Sequence, residues 1–348
     1  MNNDNHKVGI IIAVLGLLLW SGGFAAADVM RHESQISING AVAQPLLLSL
    51  TSLMAMECQK VQCNDISRAG EYRGIFNYRG VPLQELLRPA RIKKLDEAFK
   101  KPVDLAIVVK NRAGEKSVLS WGEIFYRQPG NVILAVSGSP LQPGHPDCNR
   151  CHEEQVYSPR LAPLQRTVSY PKLVISGDHR ADRCLEGISE ISVVEFPAHA
   201  GDRKLDPLHA STLKIFGDLK KPQSLTTLPS QLARREINIF QVGDGRLYHG
   251  PGEYTFTGVG LVKLLTSAGI SSDLNAVVMV WSPDGYRALF SLGELLLGRE
   301  GDSFLLADRK NGKEILHGGR FKLVVPPDLM ADRWIMAVGE IEILALPE

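Results

Sequence analysis

Cys148-Asn149-Arg150-Cys151-His152 is the stretch whose residue types and spacing carry the most chemistry. Two thiols separated by two residues reach both vinyl groups of one porphyrin, and the adjoining His152 then supplies an axial imidazole to iron. This is the attachment signature of a c-type haem. Two other readings of the same atoms stay open. Gly144-His145-Pro146-Asp147 precedes the motif, so His145, Cys148, Cys151 and His152 could form a small tetrahedral zinc knuckle. Alternatively, Cys148 and Cys151 close a tight disulfide. Candidates for a sixth iron ligand are His145, His179 and His199.

Haem attachment takes place outside the cytoplasm, and the amino terminus agrees. A polar segment with Lys7 precedes the apolar run Val8–Trp20, and Ala25-Ala26-Ala27 then offers a small-residue cleavage site. That layout is a secretory signal peptide over residues 1–27, with an uncleaved membrane anchor as the alternative. The chain is therefore expected to be exported, periplasmic or otherwise extracytoplasmic, touching a membrane only through an uncleaved amino-terminal segment. Lys plus Arg number 39 against 38 Asp plus Glu, a balance that argues against a nucleic-acid partner. Hydrophobic residues make up 44% of the chain, enough to bury real cores in two domains of ordinary size. Five cysteines are too few for a disulfide-dense scaffold of 348 residues.

The elements that must position the motif come as a tandem repeat. Tyr78-Arg79-Gly80-Val81-Pro82-Leu83 matches Phe256-Thr257-Gly258-Val259-Gly260-Leu261, and Gly122-Glu123-Ile124 matches Gly293-Glu294-Leu295. Lys172-Leu173-Val174-Ile175, Asp178 and Ala181-Asp182-Arg183 match Lys322-Leu323-Val324-Val325, Asp328 and Ala331-Asp332-Arg333. The numbering offset is 178 at Gly80/Gly258, 172 at Ala135/Ala307 and 150 at Asp178/Asp328. The first half thus holds 22 extra residues between Ala135 and Pro171, and the C-x-x-C-H motif lies inside them. Short strands alternating with short amphipathic helices, such as Leu83–Leu87 and Gly293–Leu297, read as α+β in each half.

The order of these motifs resembles the molybdopterin-binding domain of the sulfite-oxidase family, in both halves. In the second half it runs Gly258-Val259-Gly260-Leu261, Asp284-Gly285-Tyr286, Gly293-Glu294-Leu295, Leu323-Val324-Val325-Pro326-Pro327-Asp328, Arg333-Trp334 and Ile341-Glu342-Ile343. The resemblance implies molybdenum held by a pterin dithiolene and by one cysteine thiolate upstream of the Gly-Val-Pro-Leu turn. Cys63 and Cys58 stand there in the first half, while the second half has Phe240-Gln241-Val242 and no cysteine. Arg79 and Lys172 are candidate clamps for a pterin phosphate. A disulfide, or two reduced thiols, is the plain reading of Cys58 and Cys63, and Cys184 reads as a small buried hydrophobe.

The expectation is an α+β chain of two tandem sulfite-oxidase-like domains. They would span residues 36–196, with the insertion at about 136–170, and residues 213–346, joined by a linker at 197–211. Two function classes follow. One is an exported oxidoreductase or electron carrier, with a c-type haem beside a molybdopterin-type domain and a redox protein as partner. The other is a cofactor-free binding scaffold whose insertion is a zinc knuckle or a disulfide.

Overall fold

The computed structural model of the chain describes residues 35–141, 166–198, 208–241, 251–316, 318–328 and 330–347. The signal segment, the Cys148–His152 motif with His145, and His199 lie outside the described residues. Residues 35–348 fall in one compact unit.

Four small sheets make up this unit, two from each half of the sequence. In the first half the strands are β1 (Gln35–Gly40), β2 (Leu46–Ser49), β3 (Gln59–Ile66), β4 (Tyr72–Pro82) and β5 (Leu105–Asn111). They continue with β6 (Lys116–Ser120), β7 (Val132–Pro140), β8 (Lys172–Ile175) and β9 (Ile188–Glu195). One sheet has the order β2-β1-β9-β5-β6 and the other β3-β4-β7-β8. The second half repeats this with β10 (Leu213–Gly217), β11 (Gln223–Leu225), β12 (Arg234–Gln241), β13 (Gly252–Gly260) and β14 (Val277–Trp281). Its remaining strands are β15 (Arg287–Ser291), β16 (Leu305–Lys310), β17 (Lys313–Glu314), β18 (Lys322–Val324) and β19 (Glu340–Leu344). Here the orders are β11-β10-β19-β14-β15 and β12-β13-β16-β17, with β18 also on β16. The same unusual feature marks both halves: the first strand pairs parallel with the last, Ile38 beside Ile191 and Ile215 beside Ile341.

The α+β expectation is corrected by this architecture, which is mostly β. Among the described residues the α-helices run from five to seven residues, one to two turns each. Helix nucleation is costly, so segments this short do not make a layer. They sit instead where strands end: Ser120 closes β6 and caps Trp121–Phe125, and Ser291 closes β15 and caps Leu292–Leu296. No helix among the described residues is long and apolar enough to cross a membrane.

Packing explains the apolar runs Leu105–Val109 and Val277–Trp281. Ile107 and Val109 face the first-half core, and Val278 and Val280 face the second-half core. Their alternate neighbours Ala106, Val108, Val277 and Met279 meet in a third core with Val118 and Leu289. Strands buried on both faces read as continuous hydrophobic stretches rather than alternating ones.

At this seam the two halves exchange arginines. Arg183, from the first half, holds Asp178 at 2.8–2.9 Å and Glu123 at 3.0–3.1 Å, and donates to Ser291 Oγ of the second half at 3.1 Å. Arg333, from the second half, holds Asp328 at 2.6–2.7 Å and Glu294 at 2.9–3.2 Å, and donates to Ser120 Oγ of the first half at 3.0 Å. The serines complete the exchange, Ser120 Oγ donating to Glu294 at 3.0 Å and Ser291 Oγ to Glu123 at 2.8 Å. Burial pushes the Asp178 and Glu294 carboxyls up, with Arg183 and Arg333 respectively pulling the other way.

Room for these arginines comes from two glycines. A Cβ on Gly122 would lie 2.1 Å from Arg333 Nε, and one on Gly293 would lie 2.3 Å from Arg183 Cδ. Both arginines are pinned by carboxylates and cannot step aside. Gly122→Ala and Gly293→Ala are each expected to destabilise the chain by about 1–3 kcal/mol, the range for overpacked cores. Urea unfolding of the two variants checks this, and a midpoint equal to the parent's would contradict it.

Candidate functional site

The buried chemistry outside the seam gathers in the β3-β4-β7-β8 sheet. Side chains alternate along a strand, so β3 turns Val61, Cys63 and Asp65 inward while Gln62 and Asn64 face solvent. On β4 the inward set includes Phe76 and Tyr78, with Cys63 opposite Phe76 and Val61 opposite Tyr78. Lys172 opens β8 and is fully buried.

Lys172 Nζ is the centre of the cluster. It donates to Asp65 Oδ2 at 2.6 Å, Tyr78 Oη at 3.0 Å and Glu186 Oε1 at 3.1 Å. Arg166 bridges the same acids, at 2.7 Å from Asp65 Oδ2 and 2.7 Å from Glu186 Oε1. Asp65 Oδ1 forms an ion pair with Arg73 Nε at 3.7 Å, too long for a hydrogen bond, and both atoms are buried without a hydrogen-bond partner among the described residues. A site like this is satisfied only if its charges balance locally, because an ion removed from water loses several kcal/mol of solvation.

The shifts in proton affinity say what the cluster can do. Burial disfavours the charged lysine, but Asp65 and Tyr78 outweigh it and hold Lys172 well above its usual value. Burial pushes Tyr78 up to about 12, against the pull of Lys172. Burial raises Glu186 too, yet the Ser169 N–H, Arg166 and Lys172 outweigh it and keep the carboxyl below its usual range. Lys172 and Tyr78 therefore keep their protons at neutral pH, and Glu186 stays ionised. In this arrangement the cluster braces β3, β4 and β8 against one another.

The sequence-derived candidates are scattered rather than assembled. Cys63 is buried in the same core cluster as Cys184, which accepts from the Ile175 N–H at 3.4 Å. The Cys184 contact and burial together push the Cys63 thiol far up, so it holds its proton. A cysteine that held a metal would do so as a thiolate, and Cys63 is only 6% exposed, inside the first-half core. Cys58 stands apart, half-buried before β3, with its Sγ 3.5 Å from the Met56 carbonyl. Arg79 faces solvent while Lys172 faces the core, so the two proposed phosphate clamps do not converge. His179 is exposed, with its backbone N–H bonded to Leu297 O at 2.8 Å. No group of three or more His, Cys, Asp or Glu fit to hold a metal occurs among the described residues.

Asp65, Tyr78, Glu186 and Arg166 were not singled out from the sequence. The usable signal was Asp65 itself, an acid at an inward position of an alternating strand. The second half shows what the same frame does without it. Counting along the ladders from Gly80 and Gly258, Cys63 corresponds to Ile239 and Asp65 to Gln241. Lys322, the counterpart of Lys172, meets Gln241 Oε1 at 3.5 Å. It lies over the rings of Phe256 and Trp334, at 5.3 and 5.9 Å, where the first half has Tyr78 and Cys184. Carboxylates and a phenol meet the buried lysine of the first half, and an amide and aromatic faces are among the groups that meet that of the second.

The cluster also roots the insertion. Leu141 N, at its start, donates to Ile75 O at 2.8 Å, and Arg166 Nε, at its end, donates to Arg73 O at 3.2 Å. Leu141 and Arg166, the described residues on either side of 142–165, thus bond to carbonyls two residues apart on β4.

Asp65→Asn, which mimics Gln241, is expected to lower stability by about 3 kcal/mol by leaving the lysine under-compensated. Equilibrium urea unfolding measures it, and a loss no larger than that of a surface Asp→Asn change would contradict the assignment. Glu186 gives a pH test. Its folded-state value lies below the unfolded one, so its contribution is full above pH 4.5 and disappears as pH falls through the folded value. The stability gap between the parent and Glu186→Gln should therefore close on acidification below that pH. A gap that widened there would contradict the sign.

No known protein family matches the chain, and no curated protein does. Among solved structures, it is similar to the sulfane dehydrogenase SoxCD from Paracoccus pantotrophus at 12% identity and a TM-score of 0.33. That match covers 90% of this chain and 78% of the other. At this TM-score the likeness carries no argument about fold or chemistry.

Proposed function

We propose that the chain is an exported one-electron carrier. In this reading a c-type haem is attached through Cys148 and Cys151 and ligated by His152, and the duplicated β-sheet frame is a scaffold without molybdenum. The observation that carries the reading is the C-x-x-C-H motif in an insertion present in only one half. The roots of that insertion support it. Both ends are tied to β4, and Arg166 locks the returning end onto Asp65 and Glu186.

The position of Cys63 weighs against molybdenum catalysis. The resemblance to the sulfite-oxidase family would give this cysteine to the metal, but the residues around it do not fit. The thiol is 6% exposed and packed in the core cluster that also holds Cys184. Haem supplies a reversible one-electron change at iron when bound. The work of this chain is then to hold that group and present it to a redox partner protein. The two halves, residues 36–196 and 213–346, act in this proposal as one rigid support.

The test is the full-length chain made in a host that exports proteins and attaches c-type haem. After denaturation and organic extraction, the polypeptide should keep its haem absorbance. Cys148→Ser with Cys151→Ser should remove it, and Cys63→Ser should not. A chain that is colourless, or that binds zinc through His145, Cys148, Cys151 and His152, would overturn the reading.

A further inference from the structure

We propose that Cys63 and Cys184 are a disulfide-forming pair that closes as the chain folds in the presence of a disulfide donor. The two thiols are each 6% exposed and share one core cluster, and each perturbs the other's proton affinity, Cys63 upward and Cys184 downward. Backbone bonds independently hold their two segments together. Ala181 N donates to Ile66 O on β3 at 2.9 Å, Cys184 N to Ala181 O at 2.9 Å, and Arg68 N to Asp182 Oδ2 at 2.9 Å. Cys58, the other described thiol, is occupied with the Met56 carbonyl.

The second half shows that the frame does not require two sulfurs here. Ile239 and Trp334 stand at the corresponding places, and Trp334 Nε1 donates to Val325 O at 2.8 Å, where Cys184 instead accepts from Ile175 N–H. A pair of thiols has replaced an aliphatic and an indole at one buried spot. Closing it would tie β3 to the turn before β9 and restrict the unfolded chain over the long span between them.

The chemistry balances as thiol–disulfide exchange. Each thiol loses its proton, one S–S bond forms, and the two electrons pass to a donor disulfide such as oxidised glutathione, which is cleaved to two thiols. Timing follows from burial. In the folded chain Cys63 is protonated and neither sulfur is accessible, so exchange takes place before the core closes. Once folded, the oxidised and reduced forms do not interconvert readily. The pairing is independent of the haem reading, because it uses neither Cys148 nor Cys151.

The experiment uses the full-length chain carrying Cys148→Ser and Cys151→Ser, reduced in denaturant and refolded in a glutathione redox buffer. Free thiols are then blocked with iodoacetamide in denaturant, and the chain is digested without reductant. One linked peptide pair containing Cys63 and Cys184, two hydrogens lighter than its halves, is expected, with Cys58 alkylated. The same pair should appear in the parent chain with all its cysteines, which guards against a folding defect in the variant. Refolding with reductant instead should lower the thermal midpoint. Alkylation of both Cys63 and Cys184 in the natively refolded chain, or a Cys58–Cys63 link, would overturn the proposal.

Discussion

Two buried arginines, each answering acids of its own half and a serine of the other, are the constraint on which the rest of this molecule depends. Arg183 and Arg333 are almost fully buried, and a guanidinium without partners would be intolerable there. Each therefore needs its own acids, the serine hydroxyl at the end of the other half's sheet, and a glycine that leaves space for it. Those demands fix how β6 and β15 meet. They also explain why the repeat is most literal at Gly122-Glu123 with Gly293-Glu294, and at Asp178 and Arg183 with Asp328 and Arg333. Duplicated halves joined in this way are obliged to keep their seam, because a change on one side strands a charge from the other.

Freedom to diverge lies at the sheets away from the seam. There the shared lysine is kept in two different ways, by Asp65, Tyr78 and Glu186 in one half and by Gln241, Phe256 and Trp334 in the other. Both surroundings help to hold a buried ammonium, with carboxylates and a phenol at the first-half lysine and an amide and aromatic faces among the neighbours of the second. The polar solution is the half that carries the insertion, and Arg166 draws on the same acids to secure it. A brace of this kind ties Arg166 to β3 and to the turn before β9.

Much of this frame was legible in the sequence. Matching residues revealed the repeat, including the lysine, aspartate and arginine positions that both halves share. The α+β expectation failed because five-residue amphipathic segments satisfy a helical pattern without supplying enough turns to pack as a layer. Cys63 drew attention as a metal ligand because proximity in sequence pointed to the Gly-Val-Pro-Leu turn. Its actual neighbour, Cys184, lies far along the chain, and no local pattern could reveal a contact made through backbone pairing of β3 with a distant turn. Asp65 was readable only with the strand register in hand, since its meaning is that an acid faces inward.

The central claim is that redox chemistry here belongs to iron in the insertion and not to molybdenum in the duplicated frame. Counting both metals per chain in the full-length protein, isolated from a host supplying haem attachment and molybdopterin, tests it most directly. The account predicts about one iron per chain and no molybdenum above background. Molybdenum near one per chain, lost on Cys63→Ser, would contradict it.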